Sequence, residues 1–221
     1  MWSVPNEQAL LVGSANGSAL ESDPVLNDAV RGRFIEEMQA DGDHLVMEIA
    51  GDIYLYTRGA PGTPSTIENL TRSPSMQFDP WVSGRYVVWT DQRHGPSGTA
   101  WQLDNTEVYL YDIETRVERR ITNDPPERPV IQHYARVSGD WIIWTDQRNS
   151  GYPNTYPVAG NVLLYLEVYG YHIPTGREVP LVTGRNLLGA IALQRGELWY
   201  NCSSLSPRVD GVYRMPMPAS P

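Results

Sequence analysis

The chain has 221 residues, 10% of them aromatic, which excludes a disordered polymer and suffices for a single domain, 1–221, with a substantial core. With 17 Lys and Arg against 26 Asp and Glu the net charge is −9, which excludes an electrostatic grip on nucleic-acid phosphates or anionic lipid and leaves basic or neutral partners. The single cysteine, Cys202, excludes an internal disulfide, no Cys/His cluster offers zinc a site, and no apolar run reaches the length of a membrane span.

In chain order, "MWSVPNEQALLVG" lacks the basic start and long apolar stretch of a signal peptide. Within it, "QALLVG" at Gln8–Gly13 reads as a strand. The long connection Ser14–Arg31 follows, and a short helix is expected within Asp23–Arg33, where "DP" sets a cap before a proline.

From Phe34 the sequence repeats. Four segments align without a gap, beginning at Phe34, Met76, Ile131 and Leu187: "FIEEMQADGDHLVMEI", "MQFDPWVSGRYVVWTD", "IQHYARVSGDWIIWTD" and "LLGAIALQRGELWYNC". Strand-built units of this length are the signature of propeller blades. Each unit predicts a first strand, then a tight turn in which Gly84 and Gly139 supply a positive φ. The second strand is apolar at consecutive positions, so Val88, Trp89, Ile143 and Trp144 are expected to be buried between blades. A third strand recurs as "DIYLY", "EVYLYDI", "EVYGYHI" and "GVYRM", with tyrosine at Tyr54, Tyr109, Tyr169 and Tyr213. Outer strands "TIENLT", "VERRIT" and "EVPLVT" complete three units. The fourth unit lacks one, and "QALLVG" is expected to fill the gap by pairing with Gly211–Met215 and closing the ring.

The run "VSGDWIIWTDQRN", then "EVYLYDIET", then "ERRITNDP", resembles the TolB-like, WD40-like propeller repeat of bacterial and archaeal periplasmic and surface proteins. The resemblance implies an all-β propeller of four repeated four-stranded antiparallel blades, and a periplasmic or extracellular location. Members of that family usually have six or more blades, so a small closed ring, half of a larger ring completed by a second copy, and a fragment all stay open.

The repeated Asp91, Gln92, Arg93 and Asp146, Gln147, Arg148 suggest acid–base chemistry. Their recurrence at equivalent strand ends favours turn-forming groups instead, because catalytic groups need not recur blade after blade. His44, His94, His133 and His172 fall at different places in their units, without metal-ligand spacing. "DGD" at Asp41–Asp43 occupies the turn that "SGD" fills elsewhere. No catalytic, cofactor or metal residue is therefore assigned. The long insertions should crowd one face, and they carry Trp101, Asp104, Tyr152, Asn154 and Tyr156, flat rings beside amides and carboxylates suited to a peptide or sugar. The expected function is a non-enzymatic binding or scaffold module for a protein partner, with a glycan as the alternative ligand. Its rivals are a polysaccharide lyase-like enzyme, signalled by clustering of His94, Tyr152 and Arg208, and a structural subunit of a larger complex.

Overall fold

A computed structural model describes residues 11–12, 21–95, 105–124, 130–149, 166–184, 186–204 and 210–219 of the protein. The first elements are β1 (Leu11–Val12), β2 (Glu21–Ser22) and the helix α1 (Pro24–Val30). The helix starts as its sequence dictates: the Asp23 carboxylate accepts the N–H groups of Val25 (2.9 Å) and Leu26 (3.2 Å), and Pro24 opens the first turn.

Four antiparallel sheets follow. Blade 1 is β3 (Ile35–Asp41), β4 (His44–Ile49), β5 (Asp52–Thr57) and β6 (Thr66–Asn69). Blade 2 is β7 (Gln77–Ser83), β8 (Tyr86–Asp91), β9 (Glu107–Asp112) and β10 (Val117–Arg120), and blade 3 is β11 (Gln132–Ser138), β12 (Trp141–Asp146), β13 (Glu167–His172) and β14 (Arg177–Val182). Among the described residues blade 4 has three strands, β15 (Asn186–Gln194), β16 (Glu197–Ser204) and β17 (Asp210–Pro216). In every blade the strands pair in sequence order, and Gly84 (φ 55°) and Gly139 (φ 58°) make the first hairpins of blades 2 and 3 as their left-handed turns require.

Ring closure by the N-terminal strand is not what the structure shows. Leu11 pairs with Ser22 and Val12 with Glu21, whereas β17 pairs only with β16 among the described residues. A nearby partner closes a short loop, and pairing with β17 would close one nearly as long as the chain.

The core lies between the sheets. Val46 and Ile53 of blade 1 pack against Val87 and Trp89 of blade 2, Val88 and Val108 of blade 2 against Ile142 and Trp144 of blade 3, and Ile143 and Val168 of blade 3 against Ile191 and Leu198 of blade 4. Val88, Trp89, Ile143 and Trp144 are all fully buried, as consecutive apolar residues in a doubly covered strand must be. Leu26 and Val30, one turn apart on α1, cover Met47, Ile49 and Tyr56 on the outer side of blade 1.

Candidate functional site

The end of the blades where the second strand runs out holds a repeated polar constellation. Trp89 and Asp91 are two residues apart on β8, so they share a face. The Asp91 carboxylate accepts the Trp89 indole N–H (3.0 Å), the Arg93 backbone N–H (2.9 Å) and two guanidinium N–H groups of Arg93, from Nε (3.0 Å) and Nη2 (2.6 Å). Arg93 lies 4.3 Å above the Tyr109 ring on β9 and donates to Glu118 on β10 (2.8 Å), so one guanidinium ties three strands together. Blade 3 repeats the arrangement: Asp146 accepts from Trp144 (3.0 Å) and Arg148 (2.6 Å), with Arg148 4.0 Å over Tyr169 and bonded to Glu178 (2.6 Å). Burial works against the charge of each guanidinium, and the hydrogen bonds to the aspartates overcome it and hold both above the ordinary arginine value. Asp91 has no solvent exposure and accepts four donors on its two oxygens.

A second acidic position recurs at the start of the third strand, and sequence reasoning missed it. Asp52 accepts from Asn69 (2.9 Å) and Thr71 (3.0 Å), Glu107 from Thr122 (2.7 Å) and Arg120, and Glu167 from Asn149 (2.7 Å) and the Gly184 N–H (2.9 Å). The signal was present in the aligned openings "DIYLY", "EVYLY" and "EVYGY".

Sequence reasoning placed the first strand of each blade and missed the irregularity in it. Each first strand carries a bulge in its first half, between Ile35 and Glu37, Phe78 and Trp81, His133 and Arg136, and Leu188 and Ile191, and those of blades 2 and 3 fall at the same place. Asp79 (φ 55°) and Tyr134 (φ 58°) sit left-handed at these bulges. The Glu48 carboxylate takes the Asp79 backbone N–H, and Asp79 takes the Tyr134 N–H (3.4 Å), so carboxylates tie blade 1 to the bulge of blade 2 and that bulge to the bulge of blade 3. Burial, with Glu36 and Asp79 nearby, pushes Glu48 up to about 7. Burial and the neighbouring Glu37 push Asp79 up to about 6, and Arg136, 4.5 Å over the Trp81 ring, opposes that rise. Burial pushes His133 down to about 4.

Trp101, Asp104, Tyr152, Asn154 and Tyr156 lie outside the described residues, as do Tyr152 and Arg208 of the trio that would signal an enzyme. His94, the third member, places Nε2 2.7 Å from the Tyr109 hydroxyl and stacks on that ring. Among the described residues no group of three or more His, Cys, Asp or Glu is arranged to hold a metal, and no helix is long and apolar enough to cross a membrane.

No protein-family profile and no curated protein matches the chain. Solved structures do. TolB from Acinetobacter baumannii matches with a TM-score of 0.50 and 17% identity, over 92% of this chain and 48% of that one, so the chain spans about half the length of TolB. Dipeptidyl peptidase 4 from Porphyromonas gingivalis matches with a TM-score of 0.47 and 13% identity, over 78% of this chain and 27% of that one. The likeness to TolB shows the fold alone, a β-propeller arrangement of blades.

Proposed function

We propose that the chain is a non-enzymatic binding module that presents the loop-bearing end of its blades to a protein partner, in the periplasm or outside the cell. One observation carries this reading: the two ends of the blades are unequal. At one end the first and second strands are joined by tight turns at residues 42–43, 84–85, 139–140 and 195–196, and the third and fourth strands of blades 2 and 3 by residues 113–116 and 173–176. At the other end the second and third strands are joined by residues 92–106 in blade 2 and 147–166 in blade 3, and the passages between blades leave from the same side because successive strands reverse. A rigid stack with insertions gathered at one end suits recognition. Trp101, Asp104, Tyr152, Asn154 and Tyr156 belong to those two insertions and are the proposed contacts, with a glycan as the alternative ligand. The location rests on the resemblance of the repeat to periplasmic and surface proteins.

The test is to probe protein and glycan arrays with the labelled chain and with a variant whose residues 150–160 are replaced by a short Gly-Ser turn. Binding to a defined protein class by the parent, lost in the variant while its melting temperature holds, is the expected result. Binding that survives the replacement would move recognition elsewhere on the molecule.

A further inference from the structure

The three interfaces between successive blades follow one rule. The earlier blade offers an aliphatic pair from its second and third strands: Val46 and Ile53, then Val88 and Val108, then Ile143 and Val168, every one fully buried. The later blade receives that pair on the opposite face of its own second and third strands. The receiving rings of blades 2 and 3 are Trp89 beside Tyr109 and Trp144 beside Tyr169, cross-strand neighbours in register.

Both ends of the series break the rule, and they do so in complementary ways. On blade 4 the offering positions hold Trp199 and Val212, which are 38% and 73% exposed. On blade 1 the receiving positions hold Met47 and Tyr54, again cross-strand neighbours, and what covers them is the helix α1 through Leu26 and Val30. The helix therefore stands where a preceding blade would stand. Sizes are exchanged as well: at the first two interfaces a valine, Val46 or Val88, is offered to a tryptophan, and at the third Ile143 is offered to a blade with Tyr200 at that position, whereas at the ends a tryptophan is offered and an unbranched, adaptable methionine receives.

We propose that the free face of blade 4 and the α1-covered face of blade 1 are the two halves of a head-to-tail interface between copies of this chain, and that α1 is the removable cap that keeps them apart. The occupant is a second copy because its blade 1 repeats the geometry that the three internal interfaces already use, with the size exchange that Trp199 needs. Seven residues make a helix too short to hold itself together, so α1 stays in place through its seat and through Asp23, whose Oδ2 accepts the hydroxyls of Tyr56 (2.6 Å) and Ser65 (2.7 Å). On the free face Arg214 lies 5.5 Å over the Trp199 ring and 3.7 Å from Glu197. Both charges are long and solvated, and swing to the rim when the ring is covered.

The experiment is sedimentation velocity on the full chain, on Leu26→Asp/Val30→Asp, which unseats the helix, and on Tyr56→Phe/Ser65→Ala, which only loosens its latch. The full chain is expected to sediment as a monomer. The unseated variant is expected to associate, the loosened one to do so at higher concentration, and adding Trp199→Ala/Val212→Asp to either is expected to restore the monomer. Folded, unseated protein that stays monomeric would overturn the proposal, as would association that survives the blade 4 substitutions. Loss of β circular dichroism in both helix variants would overturn it too, because α1 would then be core and not a cap.

Discussion

A carboxylate that is out of contact with water and surrounded by donors is held in one geometry, and Asp91 and Asp146 are such carboxylates. The "DQR" motif is thereby explained as a strand clamp, with glutamine incidental to the ion pair. Replacing Asp146 with alanine leaves a guanidinium in a half-buried site and an indole N–H without its acceptor, and is expected to cost about 3 to 5 kcal/mol in a denaturant titration. The bulge carboxylates behave differently. Glu48 and Asp79 take up protons in the folded state at about pH 7 and about pH 6, above the 4.5 and 3.8 of free side chains, so the native state binds more protons than the unfolded chain across that window. Their contribution to stability therefore falls as pH rises from about 4 to 7. His133 has the opposite sign, because it stays neutral when folded down to about pH 4 and the unfolded ring protonates near 6.5. Glu48→Gln/Asp79→Asn should raise the melting temperature more at pH 8 than at pH 5. His133→Phe, which installs the residue that blade 2 has at Phe78, should raise it more at pH 5 than at pH 8. Equal shifts at both pH values would contradict the assigned protonation states.

At the scale of elements, blades 2 and 3 are sheets covered on both faces by their neighbours, and a hole made in one interface is not relieved by rearrangement of the other. Ile143→Ala, at a fully buried position facing blade 4, is expected to cost about 2 to 5 kcal/mol. Asp23→Ala removes the cap of α1 and the acceptor of two hydroxyls together, and should cost about 2 to 4 kcal/mol, read as lost helix ellipticity and a lower melting temperature. Much of this was legible in the sequence. Strand order, the glycine turns, the buried tryptophans and the helix after Asp23 all follow from period and local turn chemistry, which are properties of neighbouring residues. What escaped depends on distance in the chain. Nothing local distinguishes a Glu37 or Asp79 that faces the next blade's bulge from one that faces solvent. The partner of Leu11–Val12 was misassigned because similarity between "QALLVG" and "EVPLVTG" says nothing about the cost of closing the loop between them. The candidate binding residues were chosen from insertions whose chemistry is visible and whose placement a repeat alignment cannot supply.

For the whole molecule, the repeated parts and the unrepeated parts have different tasks. Clamps and cross-strand rings recur at equivalent positions and hold the blades, while the insertions at residues 92–106 and 147–166 belong to single blades and carry the proposed recognition. The measurement that separates these tasks pairs a melting temperature with a dissociation constant, for the partner found on the arrays, across Asp146→Ala, Ile143→Ala, Trp101→Ala and Tyr156→Ala. The clamp and core substitutions are predicted to lower the melt and leave the affinity of the folded fraction unchanged, and the loop substitutions to weaken binding at an unchanged melt. Loop variants that unfold the protein, or a clamp variant that loses binding while its melt stays where it was, would contradict the account.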